Sequence, residues 1–242
     1  MRDAAREPLA EFRRVNVEGT LNLARQAAQA GARRFVFMST LKVNGEATPA
    51  VAPFTEDAAP APQDAYATSK FEAEQELLKL AGTTAMTVTI IRPPLVYGPG
   101  VKGNFAALAS WLRRGLPLPL GAVANRRSLI ALDNLVDFVA LCADGEKSPR
   151  AANEVFLIAD SEDVSTPELL RRVARAYGVK ARLPPVPPAW LYAGARLLGK
   201  SALAERLLDS LTVDASRTRE LLGWRPVVGM DEQLRRMAKD GE

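Results

Sequence analysis

A tyrosine and a lysine four residues apart, Tyr66 and Lys70, are the residues of this sequence whose types and spacing first suggest chemistry. On a helix this spacing places the phenol and the ammonium on one face, one turn apart. A free phenol has a pKa of about 10 and is a poor base at neutral pH, but an adjacent cation favours the phenolate and lowers that pKa. The pair is therefore a candidate proton-transfer device, and an exposed lysine beside a half-buried tyrosine is the alternative.

Two hydroxyl residues, Ser39 and Thr40, directly follow the short apolar run 33–38, which is typical of a buried parallel strand. Ligands of open α/β sheets bind at the carboxyl ends of such strands. Both hydroxyls are therefore candidates for ligand contact. Taken alone, either of them is better explained as closing a loop through backbone hydrogen bonds.

The composition excludes several other kinds of chemistry. The chain has no histidine, which removes Ser-His-Asp and Cys-His catalysis and most zinc chemistry, so no metal site is expected. Its one cysteine, Cys142, allows no disulfide within the chain and is expected to be a small buried core residue. Acid–base chemistry must therefore use Tyr, Lys, Asp or Glu.

The charge and hydropathy patterns exclude two classes of partner. The net charge of +4 is spread over helices with acidic neighbours, which favours solvated helix faces over a nucleic-acid site. No apolar run approaches the roughly 20 residues that cross a bilayer, and residues 1–11 are charged rather than signal-like. We therefore expect a cytoplasmic protein with no membrane partner.

The elements that must position these residues alternate between strands and helices, which implies a parallel α/β sheet. From residue 184 onward the chain is helical and interrupted by prolines, which is typical of a smaller lobe. The predicted elements are helix 9–30 ended by Gly31, strand 33–38, helix 65–81 ended by Gly82, strand 86–91, helix 105–114, helix 133–143 capped by Asp133, strand 155–158 and a helix begun by Ser165 and Thr166.

Several short motifs follow one another in a fixed order along the chain. They are NVEGT at 16–20, Ser39 and Thr40, VNG at 43–45, Tyr66-x-x-x-Lys70, IRPPLVYGPG at 91–100, RSLI at 127–130 and LGWRP at 222–226. Together they resemble the extended short-chain dehydrogenase/reductases of the NAD-dependent epimerase/dehydratase family, and most of all its UDP-glucose 4-epimerase-like members.

The resemblance implies a catalytic set and a cofactor set. Tyr66 would be the catalytic acid/base, Thr40 would hydrogen-bond the reacting sugar hydroxyl, and Lys70 would lower the pKa of Tyr66 and bond the nicotinamide ribose. Ser39, beside Thr40, and Pro93, along the nicotinamide, complete the cofactor-binding set with Tyr66 and Lys70. The cofactor would be NAD or NADP.

The resemblance also implies a substrate side. Thr40 would face the sugar, while Asn104 and Arg127 match positions that hold the UDP diphosphate, for which a guanidinium fork is suited. A helix cap is the alternative for Asn104. Asn16 would buttress the active-site helix. The epimerases usually carry an aromatic residue where this chain has Asn44, and that departure leaves the sugar open.

The fold expected from the resemblance is a Rossmann-like parallel sheet that lacks its first strands, with a smaller C-terminal lobe. Residues 1–160 would form the C-terminal part of the NAD(P)-binding domain and 161–242 a mainly helical substrate-binding lobe. The family's Gly-x-x-Gly-x-x-Gly loop, which binds the pyrophosphate at a helix N-terminus, is absent from the sequence. Gly98 and Gly100 lie in a loop with an intervening proline and are not expected to precede a suitable helix.

An N-terminally truncated chain is therefore expected, with strand 33–38 as an uncovered edge, poor solubility, and weak NAD(P) binding or none. The predicted function is a nucleotide-sugar 4-epimerase, UDP-hexose being the expected substrate, or a related 4-keto-sugar oxidoreductase. The alternative is a catalytically impaired fragment or a non-catalytic nucleotide-sugar binder. A homodimer through helices 9–30 and 65–81 is also implied. The sequence leaves open the sugar, the choice among epimerase, ketoreductase and dehydratase, and the choice between NAD and NADP.

Overall fold

A three-stranded parallel sheet lies at the centre of the computed structural model, which describes residues 7–49, 52–100 and 104–240. Its strands are β1 (Arg34–Met38), β2 (Thr87–Arg92) and β5 (Glu154–Leu157), in the spatial order β1-β2-β5. In the described sheet β1 pairs only with β2, so it forms an edge, as the sequence predicts. Two further strands, β3 (Leu95–Tyr97) and β4 (Leu129–Ala131), pair in parallel as a separate two-stranded sheet.

The first helical segment is continuous but not uniform. It consists of α1 (Pro8–Phe12), a π-helical stretch (Arg13–Gly19) and α2 (Thr20–Gln29), where the sequence predicts one α-helix over 9–30. The chain then leaves the helix through Ala30 and Gly31, and Gly31 adopts a φ of 83°, a conformation that glycine accepts at a helix end. The π stretch places Asn16 next to α3 (Ala65–Ala81), which carries Tyr66 and Lys70.

Helices cover both faces of the central sheet. On one face, α2 and α3 bury a cluster with β1 and β2 that includes Leu21, Phe37, Leu77, Val88 and Ile90. On the other, α5 (Leu132–Ala143) and the segment after α9 (Ser216–Leu222) bury a cluster that includes Ile91, Phe138, Cys142, Phe156 and Trp224. Cys142 is thus a buried core residue, as predicted.

A second apolar cluster joins helices from distant parts of the chain. These helices are α4 (Asn104–Arg113), α6 (Thr166–Ala176), α7 (Pro188–Leu197), α8 (Ser201–Leu208) and α10 (Met230–Asp240). The cluster also takes Tyr97 and Leu129 from β3 and β4, so it draws on residues from both sides of position 160. The division into domains at 160 stays a prediction.

Three local predictions are wrong. Strands β3 and β4 were not predicted, because three residues are too few to show a period. Asp133 lies in the first turn of α5, whose N-cap position is Ala131. Helix α4 does begin at Asn104, soon after Gly98 and Gly100, although β3 before it lies outside the central sheet.

Two predicted helix ends are confirmed. The Ser165 hydroxyl caps α6 by accepting a hydrogen bond from the Glu168 amide at 3.3 Å, and Gly82 is the C-cap of α3. In the part of the chain that the structure describes, no helix combines the length and apolar character needed to span a bilayer.

Candidate active site

The loop that follows β1 holds the first two candidate residues at the carboxyl edge of the sheet. The Ser39 amide donates to the Ile91 carbonyl at 2.7 Å, and the Leu41 amide donates to the Pro93 carbonyl at 2.9 Å. Thr40 between them is extended, and its hydroxyl accepts a hydrogen bond from the Lys42 amide at 3.3 Å, which caps a short 3-10 helix (Leu41–Val43). These bonds fix the Thr40 side chain beside Pro93.

Helix α3 presents Tyr66 in its first turn and Lys70 one turn later. Asp64 caps the helix, since its Oδ1 accepts from the Ala67 amide at 2.7 Å. The Ser69 hydroxyl is buried; it donates to the Tyr66 carbonyl at 2.8 Å and accepts from Asn16 Nδ2 at 3.0 Å. Asn16 therefore supports this helix from the π-helical stretch, as the sequence predicts.

The Tyr66 phenol lies in a partly buried environment that opposes its ionisation. Its ring meets the ring of Phe12 edge-on, with centroids 5.7 Å apart. Burial raises the pKa of Tyr66 above its ordinary value, the carboxylate of Asp64 raises it further, and the ammonium of Lys42 acts in the opposite direction. The phenol therefore needs cations nearby if it is to act as a base near neutral pH.

Lys70 is held against an aromatic ring rather than a carboxylate. Its Nζ lies 4.1 Å from the centroid of the Phe37 ring. Burial lowers the pKa of Lys70 to about 8, and the charge of Glu74 one turn further along α3 opposes that change. The lysine is therefore mainly protonated at neutral pH and loses its charge just above it. The influence of Lys70 on the Tyr66 phenol stays a prediction.

A buried ion pair ties α3 to the central sheet. The Arg92 guanidinium, at the end of β2, donates from Nε to both Glu74 oxygens at 3.0 and 3.2 Å and from Nη2 to Oε2 at 2.5 Å. Its Nη1 donates to Asn44 Oδ1 at 3.0 Å. Asn44 is buried in this network. The asparagine that stands where the family usually has an aromatic residue therefore helps to hold Arg92 in the scaffold beneath the site.

A cavity of about 490 Å³ brings together four of the predicted site residues: Thr40, Tyr66, Pro93 and Arg127. Ser39 and Lys70 lie outside its lining. Asn104 begins α4, but its side chain lies outside the described part of the chain. Apolar side chains complete the wall: Phe105, Leu108 and Leu207 come from the second cluster, and Trp111 and Leu211 lie outside it.

Arg127 reaches the cavity from the segment before β4. Its backbone amide donates to the Val164 carbonyl at 2.9 Å, and its Nη1 donates to the Asp209 carbonyl at 3.0 Å. Burial lowers the pKa of the guanidinium, while Asp209 opposes that change. A partly buried arginine with this carbonyl anchor is suited to bind an anionic group of a ligand in the cavity.

Sequence reasoning missed the charged residues of the cavity. Lys42, Glu46 and Arg206 line it, and Lys42 Nζ lies 2.7 Å from Glu46 Oε1 and 2.5 Å from Asp64 Oδ2. The position of Asp64 just before helix 65–81 is an N-cap signal that was available in the sequence. The contact between Lys42 and Asp64 crosses 22 residues and has no local signal.

Two polar groups near the cavity are suited to a hydroxyl-rich ligand. Ser39 Oγ is buried and has no hydrogen-bond partner among the described residues, and the Lys70 ammonium contacts only an aromatic ring there. A ribose could satisfy both groups, so these residues fit the nicotinamide end of a dinucleotide. Among the described residues, no group of three or more Cys, Asp or Glu side chains is placed to hold a metal ion.

Comparisons with known proteins identify the family of this chain. The model of the NAD dependent epimerase/dehydratase family matches residues 2–159. A UDP-glucose 4-epimerase of Vibrio cholerae is 46% identical over 241 residues, which are 99% of this chain and 72% of that protein.

Two solved structures show the same Rossmann-like α/β fold. A UDP-glucose 4-epimerase of Thermotoga maritima with UDP-glucose has a TM-score of 0.75 at 24% identity, covering 100% of this chain and 75% of that one. RMD of Pseudomonas aeruginosa complexed with NADPH has a TM-score of 0.74 at 22% identity, covering 97% and 75%.

Proposed function

This chain belongs to the NAD dependent epimerase/dehydratase family, and we propose that it acts on a nucleotide sugar, as a UDP-hexose 4-epimerase or a related 4-keto-sugar oxidoreductase. The observation that carries the proposal is the cavity on which the hydroxyl residues Thr40 and Tyr66 and the guanidinium of Arg127 converge. The 46% identity with a UDP-glucose 4-epimerase supports UDP as the nucleotide part and 4-epimerisation as the leading reaction.

Each polar side chain of the cavity has a separate proposed role toward the substrate. In the proposal the Tyr66 phenolate takes the proton from the sugar 4-hydroxyl and later returns it, while the Thr40 hydroxyl bonds the same oxygen and holds it in line. Arg127 binds the UDP diphosphate, and Asn104 is proposed to assist it. The apolar wall that includes Phe105 and Leu108 excludes water from the reacting face.

NAD or NADP is the proposed cofactor, and bound NAD(P) would supply the acceptor and donor of hydride. Ser39, Tyr66, Lys70 and Pro93 are the residues proposed to hold it. The unsatisfied Ser39 hydroxyl and the Lys70 ammonium support this, because both have hydrogen-bonding capacity that a ribose would fill. The protonated Lys70 would also add positive charge on the side of the helix that carries the phenol.

A second candidate is a nucleotide-sugar binder that does not turn its ligand over. The observation that favours it is that the cavity is lined by Arg127, Thr40 and Tyr66, while Ser39 and Lys70, which are proposed to hold the cofactor, lie outside its lining. The two candidates differ in one measurable property. Both bind UDP-glucose, and only the enzyme converts it to UDP-galactose or a keto product in the presence of NAD.

The experiment measures UDP-glucose binding by calorimetry and its conversion with added NAD by chromatography. Tyr66→Phe should abolish conversion and keep the binding affinity, because it removes the hydroxyl and keeps the ring. Tyr177→Phe, a matched change away from the cavity, should keep both. Retained conversion in Tyr66→Phe would refute the assignment of the base, and binding without conversion in the unmodified chain would favour the second candidate.

The helices along α3 also support a proposal about assembly and location. Val15 and Leu23 are 44% and 61% exposed on the segment that packs beside α3, and we propose that a second copy covers them in a homodimer through residues 9–30 and 65–81. Sedimentation at several concentrations tests this, and a purely monomeric chain would contradict it.

Cytoplasmic location is part of the proposed function, since a nucleotide-sugar enzyme meets its substrate there.

A further inference from the structure

Lys42 connects the segment of Thr40 to the helix of Tyr66, the two hydroxyl residues of the proposed reaction. It lies in the 3-10 helix directly after Thr40 and lines the same cavity as Tyr66. Its Nζ bonds Asp64 Oδ2 at 2.5 Å, and the other oxygen of that carboxylate caps α3 at the Ala67 amide. One carboxylate therefore joins the Thr40 segment to the helix N-terminus, two residues before Tyr66.

The charged side chains at or beside the cavity come from several elements. Lys42 and Glu46 come from the loop after β1, Asp64 caps α3, Arg127 precedes β4 and Arg206 lies on α8. Lys70 lies one turn beyond Tyr66 on α3, and α1 brings the Phe12 ring against the Tyr66 ring. Asp64 disfavours ionisation of the phenol and Lys42 favours it. Lys42 is the cation that lines the cavity with Tyr66 and is also hydrogen-bonded to the carboxylate that caps the helix carrying the phenol.

Two carboxylates hold the Lys42 ammonium in place. Glu46 Oε1, four residues further along the chain, lies 2.7 Å from it, and all three side chains are 20–29% exposed. Hydrogen bonds and charge from Asp64 and Glu46 outweigh the effect of burial and raise the pKa of Lys42, while the same bonds lower the pKa of Asp64. Both groups therefore stay ionised through neutral pH, and the ammonium is a fixed charge beside the phenol.

We propose that Lys42 is a positioning residue for the proposed reaction: it holds the Thr40 segment against the N-terminus of α3 and supplies the cation that favours the Tyr66 phenolate. The inference rests on the proposed function, because it assumes that the phenolate is the working form of Tyr66. It adds a residue outside the Thr40, Tyr66 and Lys70 set. It also predicts that the Asp64 carboxylate disfavours the Tyr66 phenolate. Substitutions of Lys42 and of Asp64 should therefore change the pKa of Tyr66 in opposite directions.

The test titrates the four tyrosines of the full chain by NMR after labelling each phenol carbon with ¹³C. Tyr66→Phe identifies the Tyr66 signal. Lys42→Met should raise the pKa of Tyr66 by about 0.5 to 1, as expected for losing one cation that lines the same partly screened cavity. Lys42→Arg should keep it near the unmodified value, and Asp64→Asn, which still caps the helix, should lower it.

Lys79→Met is the matched control, because Lys79 lies exposed at the far end of α3 and pairs with Glu76. An unchanged Tyr66 pKa in Lys42→Met, or a change in the same direction for Lys42→Met and Asp64→Asn, would overturn the inference. If Lys42→Met fails to fold by circular dichroism, Lys42→Gln and Asp64→Asn give the same comparison. The titration needs neither cofactor nor turnover. An unchanged Tyr66 pKa in Lys42→Met, with activity still abolished in Tyr66→Phe, would therefore overturn only this inference. The expected pKa changes, with activity retained in Tyr66→Phe, would refute only the proposed function.

Discussion

Replacing Glu74 by leucine should destabilise this protein more than any exposed charge change on the same helix. Glu74 and Arg92 have side-chain exposures of 2% and 5%, and three hydrogen bonds join them. Leucine removes all three and leaves a buried guanidinium with Asn44 as its remaining acceptor. An uncompensated buried charge of this kind costs about 3–5 kcal/mol.

The loss is measured by urea unfolding followed by far-ultraviolet circular dichroism, with the slope against urea held equal between variants. A cost of about 3–5 kcal/mol also corresponds to a fall in Tm of about 6–20 °C for a domain of this size. Glu76→Leu is the matched control, since its exposed pair with Lys79 should contribute less than about 1 kcal/mol. The double variant Glu74→Leu with Arg92→Met should recover most of the loss, because it removes the unpaired charge.

The prediction has a functional readout as well. Glu74 raises the pKa of Lys70 against the effect of burial, so Glu74→Leu should bring that pKa below its value of about 8. A Glu74→Leu variant that unfolds at the same urea concentration as Glu76→Leu would refute the reasoning. So would a double variant less stable than Glu74→Leu alone, since the loss would then not come from an unpaired charge.

Three further predictions concern the supports of the site. Asn16→Ala should lower the free energy of unfolding by about 1 kcal/mol, because Ser69 loses a buried partner; urea unfolding checks this, and an unchanged midpoint would contradict it. Asp64→Ala should cost about 1 kcal/mol at neutral pH by loss of the cap, and Asp64→Asn clearly less. Since the folded-state pKa of Asp64 is lowered, its stabilisation is present above the unfolded value and lost as pH falls through the folded one, so the gap between Asp64→Ala and the unmodified chain should close in acid; a gap that widens would contradict the sign. Arg127→Met should weaken UDP-glucose binding at least about tenfold in calorimetry, while equal affinity would remove Arg127 from the diphosphate site.

Much of the frame of the site could be predicted from local patterns. Helix 65–81 and its end at Gly82 coincide with α3, and the apolar runs at 33–38, 86–91 and 155–158 overlap the three strands of the central sheet. These elements have strong signals, because helix formers, β-branched runs and glycine ends all act over a few neighbouring residues. The rest of the expected architecture comes from the order of the short motifs, which resembles that of the NAD-dependent epimerase/dehydratase family.

The parts that sequence reasoning missed depend on contacts between distant residues. Strands β3 and β4 form only as a pair whose partner residues are 34 residues apart in the chain, and neither shows a pattern alone. The π-helical stretch differs from the predicted α-helix in its hydrogen-bond register, which no local pattern of residues marks. The bonds of Lys42 to Asp64 and of Arg92 to Glu74 span 22 and 18 residues, and they exist because α3 packs across the ends of β1 and β2.

The central claim, that Tyr66 transfers the proton of a UDP-hexose hydroxyl in this cavity, is tested most directly by one comparison. UDP-glucose conversion with NAD and UDP-glucose affinity are measured side by side for the unmodified chain and for Tyr66→Phe. With NAD in excess, to offset the weak NAD(P) binding expected of this chain, the account predicts conversion by the unmodified chain only, with equal UDP-glucose affinity in both. Conversion that persists in Tyr66→Phe, or no conversion by either protein despite binding, would contradict it.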